Sequence, residues 1–150
     1  MSLLSVVLQA FQGKGHFDLV ASPAKGEAHT AIRALITELG KMAPSEIRSE
    51  STPDYFEAVI RRERLEEYSD LVAEVFGEPC KPFDERVKFV PHLARRIKTM
   101  GGIAKNQCLY IREFEDRFIA AAAFWPWMDG ESVTLKVKVF EEPAAKPEDR

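Results

Sequence analysis

Residues 108–140, CLYIREFEDRFIAAAAFWPWMDGESVTLKVKVF, decide the fold, because here the apolar period changes from about 3.6 residues to 2. Cys108–Phe114, Arg117–Trp125 and Val133–Phe140 read as three strands, with Glu115-Asp116 and Asp129-Gly130 where hairpin turns belong. The last strand alternates cleanly. Val133, Leu135, Val137 and Val139 share one face, and Thr134, Lys136, Lys138 and Phe140 the other, so one face packs and the other is mostly wet. Ala120 to Ala123 are small on both faces of the middle strand, which lets a helix approach closely. Pro126 cannot donate to a ladder and belongs at a strand end, an edge or a bulge.

Upstream of this meander the pattern is helical. Ala28, Ile32, Leu35, Leu39 and Met42 recur at three- and four-residue spacing from Glu27, and Pro44 marks the end of that helix. Thr52-Pro53-Asp54 has the form of a helix start and Gly77 of a helix stop, which predicts a helix over 54–76. Its stripe is not single: Phe56, Val59 and Ile60 centre on one side, and Tyr68 to Phe76 roughly 160° away on a helical wheel. The run Arg61–Glu67 lies between them, so either the helix breaks there, the reading preferred, or it serves two cores. A further helix is expected over 84–100, kinked or started at Pro91. Residues 1–11 read as an apolar helix, Phe17–Val20 as a short strand, and 141–150 as a disordered tail. The expected fold is therefore α+β: a single domain over 1–140, with about four helices on a three- or four-stranded antiparallel meander.

Composition agrees with one self-sufficient domain. At 150 residues, 45% hydrophobic and 30% charged, the chain can bury a core without disulfides or metal. Two cysteines without metal-ligand spacing, Cys80 and Cys108, point to a reducing cytoplasm. The apolar N-terminal run lacks a basic lead and is well short of the ~20 residues that span a bilayer. A net charge of −3 argues against a chain devoted to nucleic acid.

Charge is nonetheless uneven. Residues 38–80 hold five basic against eleven acidic side chains, and 81–105 hold seven basic against two acidic. On the expected 84–100 helix Lys88, His92, Arg95 and Arg96 fall within about 100° of arc, with Lys105 beyond the Gly101-Gly102 turn. Such a face suits a phosphate or carboxylate, or simply solvates and pairs with the acidic helix. The second unusual stretch is Phe124-Trp125-Pro126-Trp127-Met128, whose Phe124, Trp125, Trp127 and Met128 suit an apolar pocket, an interface anchor or a core lid.

No phosphate-binding loop, dinucleotide fingerprint, zinc-protease helix, serine-hydrolase elbow or calcium loop is present. His16, His29 and His92 form no ligand pair, so no metal or cofactor is expected. The leading expectation is a non-catalytic binding domain for a small apolar or anionic ligand or a protein partner. It would self-associate, as a dimer first, through the N-terminal helix or the two-faced helix 54–76. The alternative is a small enzyme with His92 as acid/base and Arg95, Arg96 and Lys105 clamping an anionic substrate.

Overall fold

The computed structural model describes residues 26–86 and 103–141. These form an α+β unit with two helices and a five-stranded antiparallel sheet. In chain order they are α1 (Glu27–Lys41), β1 (Glu46–Ile47), β2 (Tyr55–Arg61), a 3-10 turn (Arg62–Arg64), α2 (Leu65–Phe76), β3 (Cys108–Glu113), β4 (Phe118–Pro126) and β5 (Ser132–Glu141). The sheet order is β1-β2-β5-β4-β3. Among the described residues no helix is long and apolar enough to cross a membrane.

The C-terminal meander lies where the period-2 pattern puts it. β3 pairs with β4 from Cys108↔Phe124 to Glu113↔Ile119, and β4 with β5 from Phe118↔Glu141 to Pro126↔Val133. Four residues, Phe114 to Arg117, join β3 to β4, with Arg117 at φ 72° closing the turn and the Phe114 N–H donating to the Phe118 carbonyl at 2.9 Å. Asp129 builds the other turn. Its carboxylate accepts the N–H groups of Glu131 (2.9 Å) and Ser132 (3.0 Å), which hold its pKa below the usual carboxylate range. Gly130 takes φ 73° beside it.

The expected helix over 54–76 needs correction. Its first half is strand β2, paired with β5 along its whole length from Tyr55↔Lys138 to Arg61↔Ser132. Phe56, Val59 and Ile60 satisfy a helical spacing, but Phe56, Ala58 and Ile60 also alternate, and a free edge on β5 favours the strand. Thr52-Pro53-Asp54 is thus a tight turn into β2, with the Thr52 N–H donating to the Tyr55 carbonyl at 2.7 Å. The charged run is where the chain leaves the sheet through the 3-10 turn, and α2 ends at Gly77 with φ 78°. Both halves bury their apolar residues within this chain, so the two-faced helix offered for self-association does not exist in that form.

The sheet accordingly has five strands rather than three or four, and two helices lie among the described residues. Asp84 sits in a turn at φ 59°, so the first residues of the expected 84–100 helix are not helical. The remainder of that helix, the N-terminal helix, the Phe17–Val20 strand and nearly all of the 141–150 tail lie outside the described residues.

Both helices pack on one face of the sheet. Ile32, Leu35 and Leu39 of α1, and Tyr68, Val72 and Phe76 of α2, meet Phe56, Ala58 and Ile60 of β2, Tyr110 of β3, Ala120, Ala122 and Phe124 of β4, and Val133, Leu135 and Val137 of β5. Long-range polar contacts lock α1 in place. Its N-cap residue Gly26 has no side chain to offer, and Asp116 of the β3–β4 turn accepts the Ala28 N–H instead at 3.1 Å. At the other end Arg64 donates to the Met42 carbonyl at 2.6 Å, a cation against the negative end of the helix dipole. Arg33 and Asp54 join α1 to the start of β2 through two contacts of 2.8 and 3.1 Å.

Candidate functional site

The face of the sheet away from α1 and α2 carries the candidate site. Directly paired residues share a face, so the strand registers set out its rows. Val59, Thr134 and Trp125 form one; Glu57, Lys136, Ala123 and Leu109 the next; Tyr55, Lys138, Ala121 and Ile111 the third. Ala121 and Ala123 stop at Cβ while their neighbours on both sides are long. The result is a notch of ≈ 160 Å³ lined by Tyr55, Leu109, Ala121, Ala123, Trp125, Lys136 and Lys138.

The polar groups around the notch are not equivalent. Glu57 is a hub: it accepts the Tyr55 hydroxyl in a short hydrogen bond, and lies 3.9 Å from Arg48 Nε and 4.0 Å from Lys136 Nζ. Burial, then the Glu57 carboxylate, push the Tyr55 phenol well above its ordinary pKa, so it stays a neutral donor. Lys136 Nζ also sits 4.1 Å from the Trp125 ring centroid, a cation–π contact that closes one wall. Lys138 differs. Its Nζ lies 5.1 Å from the Phe140 ring, and among the described residues no carboxylate is within ion-pair distance of it. The indole Nε1 of Trp125 is buried without a hydrogen-bond partner among the described residues.

The chain segment beside β3 completes the surroundings. Cys80 and Ile103 pack against Leu109 and Ala123, and the Cys80 thiol donates to the Leu109 carbonyl at 3.4 Å. Lys81 is only 2% exposed, and its ammonium donates to the carbonyls of Pro82 (2.8 Å), Lys105 (2.5 Å) and Gln107 (2.6 Å). Its backbone pairs with Leu109, which covers part of the β3 edge.

The residues singled out from sequence are dispersed. Phe124 is fully buried against the helices, with ring centroids 6.2 Å from Tyr110 and 6.4 Å from Phe83. Trp125, the next residue, points the opposite way and lines the notch. Trp127 and Met128 sit in the β4–β5 turn, where the Trp127 Nε1 donates to Thr134 Oγ1 at 2.7 Å and Met128 is fully exposed. Of the basic group, Lys105 is exposed and joins the structure through its carbonyl; Lys88, His92, Arg95 and Arg96 lie outside the described residues. Tyr55, Ala121, Ala123, Lys136 and Lys138 carry the notch without having been expected to. The signal was the two alanines beside two lysines at matching alternation, and Tyr55 was hidden by the helical reading of its segment.

Other chemistry-bearing groups are placed for structure. His29 is buried with its ring edge-on to Phe118 at 4.5 Å. Cys108 faces the helix side, where burial pushes its thiol up to about 11. Among the described residues no three His, Cys, Asp or Glu side chains converge as a metal ion requires. Compared with known protein families, curated proteins and solved structures, the chain matches none.

Proposed function

We propose that the protein is a non-catalytic binding domain that takes a small apolar anion on the sheet face away from its helices. One observation carries the reading: a notch floored by Ala121 and Ala123, walled by Trp125 and Leu109 and flanked by two lysines. A mostly apolar concavity with a few polar groups at its margin is the usual form of a small-ligand site. A sheet face meant only for solvent has no need of two adjacent alanine rows beneath an aromatic wall, since β-branched or polar residues suit such a face better.

The polar groups support binding rather than turnover. Glu57 is engaged by Tyr55, Arg48 and Lys136, and Tyr55 is held neutral, so both act here as fixed parts of the wall. The test is a titration of the ¹⁵N-labelled protein with hexanoate and with benzoate, following the two indole N–H signals. Saturable movement of the Trp125 signal is expected with at least one of them, and Ala121→Val, checked for folding by its melting curve, weakens it by filling the floor. If neither acid moves that signal at millimolar concentration, the reading is wrong.

A further inference from the structure

We infer that the notch is a subsite for a single six-membered ring bearing a carboxylate, with Lys138 as the anion anchor and Lys136 as part of the wall. This inference rests on the ligand-binding reading above and adds the class of ligand and the residue that selects it.

Size sets the ring. The space of ≈ 160 Å³ is close to that of an engineered apolar cavity of ~150 Å³ that admits benzene, so a single ring matches the part of a ligand that the notch can hold. Its shape agrees, because a pleated floor of two Cβ methyls is flat. The aromatic side chains of Tyr55 and Trp125 stand at its two ends, four residues and roughly 13 Å apart along the strand direction.

Charge sets the carboxylate and the lysine. Lys136 has its charge engaged twice, by Glu57 at 4.0 Å and by the Trp125 ring at 4.1 Å, and an incoming anion there would also meet the Glu57 carboxylate. Lys138 sits one row further along β5, opposite Tyr55 and Ala121, with no carboxylate in ion-pair range among the described residues. An anion reaching Lys138 therefore gains a charge-assisted hydrogen bond without displacing an existing pair. The neutral Tyr55 hydroxyl adds no like charge beside it.

The experiment titrates the full ¹⁵N-labelled chain with benzoate, benzyl alcohol and hexanoate. Trp127→Phe identifies the Trp125 indole signal, because Trp127 lies in the β4–β5 turn outside the notch. Benzoate is expected to bind more tightly than either of the others. Lys138→Gln should weaken benzoate by about five- to tenfold, the scale of one exposed charge-assisted contact, and leave benzyl alcohol unchanged. Lys136→Gln should preserve the preference for benzoate over benzyl alcohol. Equal affinity for benzoate and benzyl alcohol, or loss of the preference in Lys136→Gln rather than Lys138→Gln, overturns the anchor while the binding reading stands. Hexanoate binding as tightly as benzoate overturns the ring in the same way. Silence of the Trp125 signal with all three overturns both.

Discussion

Asp116 is the residue on which the attachment of α1 to the sheet depends most directly. Gly26 precedes the helix with no capping side chain, and the Asp116 carboxylate arrives from 88 residues away to accept the Ala28 N–H at 3.1 Å. Its second oxygen accepts the Phe118 N–H at 3.1 Å and shapes the β3–β4 turn. Asp116→Ala removes the cap, worth about 1 kcal/mol. It also removes an anion at the positive end of the helix, about 0.3–1 kcal/mol, and a turn hydrogen bond worth about 0.5–1 kcal/mol. Together these predict a loss of about 2–3 kcal/mol in urea unfolding, or about 5–10 °C in melting temperature. Asp116→Asn keeps one acceptor oxygen but gives up the charge and one of the two N–H contacts, so about 1–2 kcal/mol is expected. The geometry allows a stricter check. A Cβ on Gly26 would lie 2.7 Å from Asp116 Oδ2, and Gly26 occupies φ 143°, ψ −164°, a region that other residues rarely adopt. Gly26→Ala therefore costs backbone strain and also ejects the capping carboxylate, whereas in an Asp116→Ala background only the strain remains. The double variant should be more stable than the sum of the single effects by about 1 kcal/mol. Loss of less than about 0.5 kcal/mol in Asp116→Ala, or additivity within about 0.3 kcal/mol, would refute the capping role.

Two further perturbations read the packing around the site. Lys81→Met keeps an unbranched stem of similar length but leaves the carbonyls of Pro82, Lys105 and Gln107 without their shared donor. A loss of about 2–3 kcal/mol is expected in urea unfolding, with faster hydrogen exchange at the Cys80 and Leu109 amides; unchanged exchange there would show that the cage holds nothing in place. Cys108 gives the pH response. Its folded pKa of about 11 lies above the ordinary value of 9.0, so the folded state keeps its proton longer than the unfolded chain does. That contribution is complete below pH 9.0 and is lost as pH rises to about 11. The shift corresponds to ~2–3 kcal/mol at most, and Cys108→Ala should flatten that part of the stability profile between the two pH values.

The period-2 alternation of Val133 to Val139 located β5, and the turn residues located both hairpins, because each rests on local chemistry that the fold does not override. β2 was ambiguous for a physical reason. Phe56, Val59 and Ile60 fit a helical face as well as Phe56, Ala58 and Ile60 fit a strand, and Thr52-Pro53-Asp54 serves either start. What decides is the partner, a free edge of β5 some 75 residues later in the chain, and pairing at that separation leaves no mark in a short window. The two unlike apolar stripes in 54–76 did carry the information that no single helix could satisfy both. The Asp116 cap was invisible for the same reason, since a capping residue is normally sought next to the helix it caps. The notch was half readable: Lys136 and Lys138 were placed on the wet face and the alanines recognised as small. Joining them required the register that sets Lys136 against Ala123 and Lys138 against Ala121.

That register explains why one run of four alanines, Ala120 to Ala123, does two unrelated jobs. Ala120 and Ala122 face the helices, where α1 needs close approach to β4 and β5, and any added carbon there would have to displace a packed helix. Ala121 and Ala123 face the other way, where the same smallness leaves empty volume between long neighbours. Larger residues at 121 and 123 would leave the helix packing untouched, but at 123 they would press on the small cluster of Leu109, Cys80, Ile103 and Trp125 on this face. Under the proposed function, the volume left open above these alanines is the volume a ligand ring would fill. The lysines follow the same logic. Lys136 is tied down by Glu57 and Trp125, while Lys138, two residues on, has no acidic partner among the described residues. Under the proposed function, that asymmetry gives an incoming anion one lysine to meet and leaves the other as wall.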